Sequence, residues 1–336
     1  MRTKVIVSLV ALGLALGAAG IILRQAAGQD LEREQRQGLN VLRLVFAGEG
    51  KVSLSGTRAL SAPQRGLRII QRVMRGPGHR YRIEAAAPDP IAGRLLVSDG
   101  STRWLYDPKR GWAMVTQAAD AQVIARRRAE WLSRVPKVFV VRYFGTRSLL
   151  GRQAHVVQLV RRHAPRAYRK YWVDAEHWVP LLRQQFAPDD TVVAEERYLQ
   201  ADFPSQPLPA QAFAFQPPRG TRVVRDPAPL LRFADVAALG ERLDFRPALP
   251  QWIPDDFFLE DALLLRFRRR SVAWLRYTDI FNSISIFERQ RPRGARGGPA
   301  PGGPMVVVRE RGPLWIVVVG SLPRPVLERV ADSIRP

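Results

Sequence analysis

The sequence predicts an α+β protein of mostly antiparallel β-strands, arranged as a larger domain followed by a smaller one. Apolar and polar residues alternate over many short runs, and these runs end at clusters of Gly, Pro and Ser, as strands do. A Pro-rich stretch interrupts the alternation past the middle of the chain, and 336 residues suit about two domains. With 46% hydrophobic and 25% charged residues, the composition excludes a wholly disordered chain and a polytopic membrane protein.

The amino terminus carries an export signal. Arg2 and Lys4 precede an apolar run over 5–23, and Ala26-Ala27-Gly28 then supplies the small residues that a signal peptidase accepts. The run is longer than a usual signal core and nearly reaches the ~20 residues that span a bilayer. Residues 1–28 are therefore predicted to be a signal peptide or an N-terminal membrane anchor through 5–23, and both alternatives stay open. Either way the rest of the chain is periplasmic or otherwise extracytoplasmic.

A first domain is predicted over 31–215. It begins with a short polar helix over 31–39, and Asp99-Gly100 joins two of its strands as a tight hairpin. The predicted strands are 41–46, 51–55, 67–73, 81–84, 95–98, 103–106, 154–160, 169–173, 180–186 and 191–199.

One stretch of this domain, 118–135, has helical rather than strand spacing. Its apolar residues recur every three or four positions, as in an amphipathic helix that covers one face of a sheet. The apolar set is Val123, Ile124, Trp131, Leu132 and Val135, and the basic set is Arg126, Arg127, Arg128 and Arg134.

Residues 216–248 are predicted to form a Pro-rich linker with a short helix over 230–243, and 249–336 to form the second domain. A closing helix over 325–334 places Val326, Val330, Ala331 and Ile334 on one face, and the Gly/Pro/Arg-rich segment 291–304 is predicted to be a hairpin loop. The predicted strands of this domain are 263–267, 271–277, 283–287, 305–309 and 314–319.

Catalytic signatures are absent from the sequence. It has no cysteine, no phosphate-binding loop, no dinucleotide fingerprint and no Gly-x-Ser-x-Gly elbow. The adjacent carboxylates Asp189-Asp190 and Glu195-Glu196 would point to opposite faces of a strand, so neither pair is a natural acid–base pair. We therefore expect no enzyme activity, no cofactor and no metal site.

The net charge of +23 suggests a nucleic-acid partner at first, but two facts weaken that interpretation. Of the 53 basic residues only five are lysine, which indicates a general preference for arginine, and export separates the protein from most nucleic acid. The charge is better suited to an acidic protein segment or an anionic lipid, and no nucleic-acid partner is predicted.

Residues 99–108 resemble a hairpin motif D-G-x-x-x-W-x-Y-D-P, and residues 151–159 resemble a strand motif G-R-x-A-x-x-I-x-L. Through these motifs the first domain resembles the MucB/RseB family of sigma-E regulatory proteins. Residues 171–181 are similar to its hairpin x-W-x-D-x-x-T-G-L-P-L, except that His177-Trp178 stands where the family usually has Thr-Gly.

The resemblance continues in the second domain. Residues 249–254 resemble the entry motif L-P-x-G-F, and 277–288 resemble the strand pair Y-S-D-G-L-x-x-x-S-V-F, with Ile280-Phe281-Asn282 where Gly-Leu is usual. Residues 317–334 are similar to V-x-V-V-G-x-x-P followed by I-A-x-S. The similarity thus covers about 40–334.

The resemblance implies a curved half-barrel sheet with covering helices, like that of the lipoprotein carriers LolA and LolB, followed by a smaller α+β domain. It implies a non-catalytic role in the envelope stress response: binding the periplasmic segment of an anti-sigma factor and sensing a lipid-like ligand, such as an acyl chain or anionic lipid, in an apolar groove. The alternative is a LolA-like lipid or lipoprotein carrier, and a homodimer stays open.

Candidate site residues follow from residue type and position. The candidates for the ligand groove are Trp104, Tyr106, Trp131 and Trp172. The candidates for a basic rim are Arg126, Arg127, Arg128 and Arg134, and those for partner contact are Trp274 and Tyr277.

Overall fold

The computed structural model describes residues 28–48, 50–163, 166–225, 231–267, 270–291 and 305–335. It divides into two compact units, Met1–Val224 and Arg225–Pro336. This division falls inside the predicted linker 216–248, and the predicted domain limits themselves stay a prediction. The apolar run 5–23 and most of the predicted loop 291–304 lie outside the described residues.

The first unit contains a twelve-stranded sheet, in which all neighbouring strands from β6 across to β7 are antiparallel. The strand order is β12-β6-β5-β4-β3-β2-β1-β11-β10-β9-β8-β7. The helices are α1 (28–48) and α2 (Ala121–Val138). The strands are β1 (Leu54–Ala62), β2 (Leu67–Gly76), β3 (Arg80–Ala87), β4 (Leu95–Ser98), β5 (Thr102–Asp107), β6 (Trp112–Gln117), β7 (Phe139–Leu149), β8 (Arg152–Arg161), β9 (Ala167–Asp174), β10 (Pro180–Phe186), β11 (Val192–Asp202) and β12 (Arg222–Arg225).

The predicted fold class is confirmed, with two corrections in this unit. The strand predicted over 41–46 is wrong, because these residues belong to α1 and bury Val41, Leu42 and Val45 at helical spacing. Strands β6 and β7 were not predicted. The basic helix predicted over 118–135 is confirmed as α2, which begins after Asp120, whose side chain accepts hydrogen bonds from the backbone N–H groups of residues 122 and 123.

The second unit contains a six-stranded sheet in the order β13-β15-β16-β17-β19-β18 and a separate pair β14-β20. The strands are β13 (Leu231–Phe233), β14 (Leu249–Pro250), β15 (Phe258–Phe267), β16 (Arg270–Thr278), β17 (Ser283–Gln290), β18 (Val306–Arg311), β19 (Leu314–Gly320) and β20 (Ile334–Arg335). The helices are α3 (Val236–Gly240) and α4 (Arg324–Ser333). The helix predicted over 230–243 is wrong in extent, because its first residues form β13 and Asp235 caps the short α3 through a 2.8 Å bond from Ala238 N.

The core of the second unit lies between this sheet and α4, where Leu275, Ile286 and Val318 pack with Leu327 and Val330. No helix among the described residues is long and apolar enough to cross a membrane.

A carboxyl group is buried in this second core. Glu288 on β17 is 0% exposed, and its Oε2 accepts a 2.8 Å hydrogen bond from Ala248 N. Burial raises the pKa of Glu288 to about 7, against an ordinary value of 4.5, because the charged form loses its hydration. Burial, together with the nearby charge of Glu288, raises the pKa of Tyr277 to about 12.

The buried Glu288 makes the stability of the second unit fall as the pH rises. Between its unfolded pKa of 4.5 and its folded pKa of about 7, only the folded state binds the proton. We expect the free energy of unfolding to be about 2 to 3 kcal/mol lower at pH 8 than at pH 5 from this group alone. Glu288→Gln should remove that difference in urea unfolding followed by circular dichroism. The exposed Glu241→Gln is the control, and equal pH dependence in wild type and Glu288→Gln contradicts the assignment.

Candidate ligand cavity and interaction surface

A cavity of about 310 Å³ lies in the first unit between α1, α2 and one face of the large sheet. Ile83 on β3 and Leu96 on β4 are directly paired, so they point to the same face, and both line the cavity. We call this the cavity face of the sheet. Its apolar lining consists of Val45, Val52, Leu54, Ile83, Leu96, Ile124, Trp178, Val179 and Pro180.

Helix α1 approaches the cavity face closely because it has a glycine at the contact. A Cβ atom on Gly38 would lie 2.6 Å from Val141 Cγ1, which is shorter than any normal contact. On the other side, the ring of Phe46 contacts that of Trp131 on α2, with centroids 6.5 Å apart. The two helices thus form a wall that leaves the cavity between themselves and the sheet.

Trp178 reaches the cavity from the β9–β10 turn, in a backbone conformation that normally favours glycine. Its φ is +58°, and its ring stacks on His155 at 5.2 Å with an angle of 5°. His155 Nδ1 lies 2.9 Å from the hydroxyl of Tyr143, which fixes the imidazole from its other side. Trp178 therefore adds an apolar ring to the cavity lining, at the position where the hairpin motif that this segment resembles has Gly.

The turn tolerates this residue because Asp174 organises it. The buried carboxylate of Asp174 accepts hydrogen bonds from the backbone N–H groups of Glu176 and His177, at 3.1 and 2.7 Å, and is paired with Arg152. These bonds offset the roughly 1 to 2 kcal/mol that a left-handed conformation costs a residue with a Cβ atom.

The charged lining of the cavity is cationic. It consists of Arg75, Arg80, Arg128 and Arg183, beside the polar side chains of His79 and Tyr81, and no carboxylate is among the described residues that line it. Arg80 Nε donates to Pro77 O and Arg128 donates to Phe46 O, so both are held by the backbone. The guanidinium of Arg75 has no hydrogen bond or ion pair with the described residues, which leaves it available to a ligand.

One carboxylate, Glu196, lies beneath this cationic lining. Its oxygens accept hydrogen bonds from Arg58 at 2.7 Å and from Arg183 at 3.4 Å. Burial by itself raises the pKa of Glu196, but the charges of Arg183, Arg58 and Arg75 together hold it below its ordinary value. Three arginines around one carboxylate give this part of the sheet a positive balance.

The predicted groove residues on the sheet lie on its other face. Leu105 pairs with Leu96 on the cavity face, so its neighbours Trp104 and Tyr106 point away from the cavity. There they contact the ring of Phe215, with centroids 5.7 and 5.3 Å apart.

Trp172 also lies on that opposite face, because its neighbour Tyr171 pairs with Arg183, which lines the cavity. The ammonium of Lys170 lies 4.8 Å from the Trp172 ring. Trp131 faces α1, as described, and does not line the cavity.

Of the predicted rim residues, Arg128 lines the cavity, whereas Arg126, Arg127 and Arg134 lie elsewhere on α2. Two further cavity residues, Trp178 and Arg75, were not among the residues predicted from the sequence. The replacement of Thr-Gly by His177-Trp178 could have indicated that Trp178 has a special position. For Arg75, the indication was its place two residues after the apolar Val73, which puts both side chains on the same face of one strand.

The second unit presents an apolar row across five strands on the face opposite α4. Paired positions place Trp274 and Phe287 side by side, with ring centroids 5.2 Å apart. The complete row is Leu263, Trp274, Phe287, Val317 and Val308. Tyr277, the other predicted contact residue, lies on the opposite face in the core and is 9% exposed. The structure thus separates the two candidates.

The turn after β16 repeats the feature seen at Trp178. Ile280 has a φ of +85°, and its N–H donates to Thr278 Oγ1 at 2.9 Å. Asp279 Oδ1 accepts from the backbone N–H groups of Phe281 and Asn282. A β-branched residue is rare in this conformation, and here the local hydrogen bonds enforce it.

Among the described residues, no group of three or more His, Asp or Glu side chains is arranged to hold a metal ion.

Glu196 makes the first unit depend on pH in the acid range. Its folded pKa lies below the unfolded value, so its stabilisation is present above about pH 4.5 and is lost as the pH falls through the folded pKa. We expect Glu196→Gln to lower the free energy of unfolding at pH 7 by about 2 to 3 kcal/mol, because Arg58 and Arg183 lose their counter-charge.

Urea unfolding of Glu196→Gln at pH 7 and pH 4 measures this effect. Glu195→Gln, the neighbour on the opposite face of the same strand, is the matched control. An equal loss of stability in both variants contradicts the role of the charge cluster.

Comparison with known proteins places these features in a known fold. No protein-family model matches the chain. An uncharacterized protein of Methanocaldococcus jannaschii is 26% identical over 132 residues, which are 39% of this chain and 37% of that relative, so the chain spans little more than a third of that relative's length.

Solved structures of MucB match almost the whole chain. The structure of the Pseudomonas aeruginosa MucA/MucB complex aligns with a TM-score of 0.61 and 21% identity, over 89% of this chain and 99% of that one. A crystal structure of MucB in complex with MucA(peri) aligns with a TM-score of 0.54 and 20% identity, over 90% and 98%. The chain therefore has a MucB-like fold across both of its units.

Proposed function

We propose that this protein is a non-catalytic, extracytoplasmic regulatory protein that binds the exported segment of an anti-sigma factor and senses a lipid-like ligand in the cavity of its first unit. The similarity to MucB in fold supports the proposal, since two of the matching structures are complexes of MucB with MucA. The sequence motifs that resemble the same family support it independently. The apolar run 5–23 behind Arg2 and Lys4 supports an extracytoplasmic location.

The observation that carries the ligand part is the chemistry of the 310 Å³ cavity. Its walls are mostly apolar, which suits an acyl chain, and its charged side chains are arginines, with no carboxylate among the described residues that line it. A neutral or cationic ligand would leave these charges uncompensated, whereas an anionic head group would pair with Arg75. The cavity therefore favours an acyl ligand with an anionic head.

The observation that supports partner binding in the second unit is the apolar row that contains Trp274 and Phe287. Aromatic side chains in such rows are frequent centres of protein interfaces. The net charge of +23 further favours an acidic partner segment, because opposite charges accelerate association.

A lipid or lipoprotein carrier is the second candidate, and the cavity itself suits that role. The two functions differ in what the ligand does. A carrier transfers its ligand to a second membrane and needs no protein partner, whereas a regulator binds a partner whose affinity changes with the ligand.

The ligand proposal predicts that Arg75→Ala weakens binding of oleate about tenfold and leaves binding of the uncharged oleyl alcohol unchanged, because only the anionic head pairs with Arg75. Isothermal titration calorimetry on the purified chain measures both. Arg72→Ala is the control, since Arg72 lies on the same strand with its side chain on the opposite face. Equal effects on oleate and the alcohol, or equal effects of the two variants, would count against a cavity with a head-group site.

The partner proposal predicts that Trp274→Ala weakens binding of the exported segment of a cognate anti-sigma factor about tenfold or more. Tyr277→Phe should leave it unchanged, because Tyr277 lies in the core on the other face. Surface plasmon resonance with the immobilised segment, in the presence and absence of oleate, measures the affinity and its dependence on the ligand. If the wild-type chain does not bind the segment at all, the regulatory function is contradicted and the carrier function remains.

A further inference from the structure

A second cavity, of about 480 Å³, lies in the first unit where β5, β6 and β12 adjoin at one edge of the large sheet. It shares no lining residue with the cavity described above. Neither the proposed function nor the fold similarity assigns it a role. Its lining residues are Arg94, Leu105, Tyr106, Asp107, Arg110, Trp112 and Arg222.

Two of the three arginines are held by a buried carboxylate. The side chain of Asp107 is 8% exposed, and its Oδ2 lies 2.9 Å from Arg94 Nε and 3.9 Å from Arg110 Nε. Its Oδ1 accepts a 3.2 Å hydrogen bond from Arg110 N, which fixes the turn between β5 and β6. Asp107 therefore orients two guanidinium groups at the cavity and uses only part of their hydrogen-bonding capacity.

The third arginine has no such partner. Arg222 begins β12, and its backbone N–H donates to Gly111 O at 2.8 Å, which anchors the strand beside the same turn. Its guanidinium makes no hydrogen bond or ion pair with the described residues. Three cationic groups thus meet one carboxylate, and the cavity has a surplus of two positive charges.

An aromatic ring, that of Trp112, forms part of the same wall. Trp112 is half-buried and pairs with Asp107 across β5 and β6, so the two side chains lie on the same face of the sheet. The ring of Tyr106 lies on the other face, against Phe215 at 5.3 Å. A flat ring or the flat face of a cyclic ligand stacks well on such surfaces. The volume of 480 Å³ falls in the range of small-molecule sites.

We infer that this cavity binds an organic phosphate, with the phosphate on Arg94, Arg110 and Arg222 and its ring against Trp112. Guanidinium groups bind phosphate oxygens in pairs, and their charge surplus matches a phosphate dianion. Specific binding requires both the phosphate and the ring of the ligand. The arginines alone would bind any anion, and the tryptophan alone would bind any flat apolar surface.

The test uses the full chain and three probes in isothermal titration calorimetry at 150 mM salt. Phenyl phosphate carries both parts, inorganic phosphate only the charge, and phenol only the ring. We expect phenyl phosphate to bind about tenfold or more tightly than inorganic phosphate, and phenol to bind far more weakly than either.

Single-residue variants test which side chains bind the phosphate and which one contacts the ring of the ligand. Arg222→Ala should weaken phenyl phosphate and inorganic phosphate alike, by about tenfold, because it removes a charged donor. Trp112→Leu should weaken phenyl phosphate and leave inorganic phosphate unchanged. Arg219→Ala, an exposed arginine of the same segment outside the cavity, is the control and should change neither.

Three outcomes overturn the inference. One is that phenyl phosphate binds no better than inorganic phosphate, so that the ring makes no contribution. Another is that Arg219→Ala weakens binding as much as Arg222→Ala, which reveals general charge attraction. The last is that a short acidic peptide such as tetraglutamate binds more tightly than phenyl phosphate and displaces it, which makes the cavity a peptide contact.

Discussion

A β-strand places successive side chains on opposite faces of its sheet, and this alternation decides the chemistry of the first unit. Because α1 and α2 pack on one face only, a shift of one position moves a residue from the cavity to the opposite side. Leu96 and its pair Leu105 face the helices, while Trp104 and Tyr106 face Phe215. The same rule brings Arg75 and Ile83 to one face, and so places a guanidinium group beside an apolar wall.

Much of the strand arrangement is predictable from the sequence, because turn residues and alternation mark it clearly. The run 180–186 is a strand over that whole range, and Asp99-Gly100 lies between two paired strands as expected. The run 41–46 shows the limit, since six residues with apolar positions fit a strand and a helix equally well. The face of each aromatic residue is the other limit. Both faces of this sheet bury apolar side chains, so nothing in the sequence alone states which face the helices cover.

The two units balance their buried charges in opposite ways. In the first, arginines surround Glu196 and favour its ionised form. In the second, Glu288 accepts one backbone hydrogen bond and has no cationic partner in the part of the chain that the structure describes, so burial favours its neutral form. One unit therefore tolerates alkaline conditions better and the other acid conditions better. The margin of stability is therefore widest in the pH interval between the titrations of these two groups.

Trp178 and Ile280 hold left-handed backbone conformations without being glycine, and hydrogen bonds to Asp174, Thr278 and Asp279 keep each turn in place. A turn whose shape is set by its neighbours leaves its central residue free to change. At Trp178 the central residue supplies an aromatic ring to the lining of the cavity, while Asp174 maintains the shape of the turn. Such a turn allows its central side chain to be exchanged without a change in the strands that it connects.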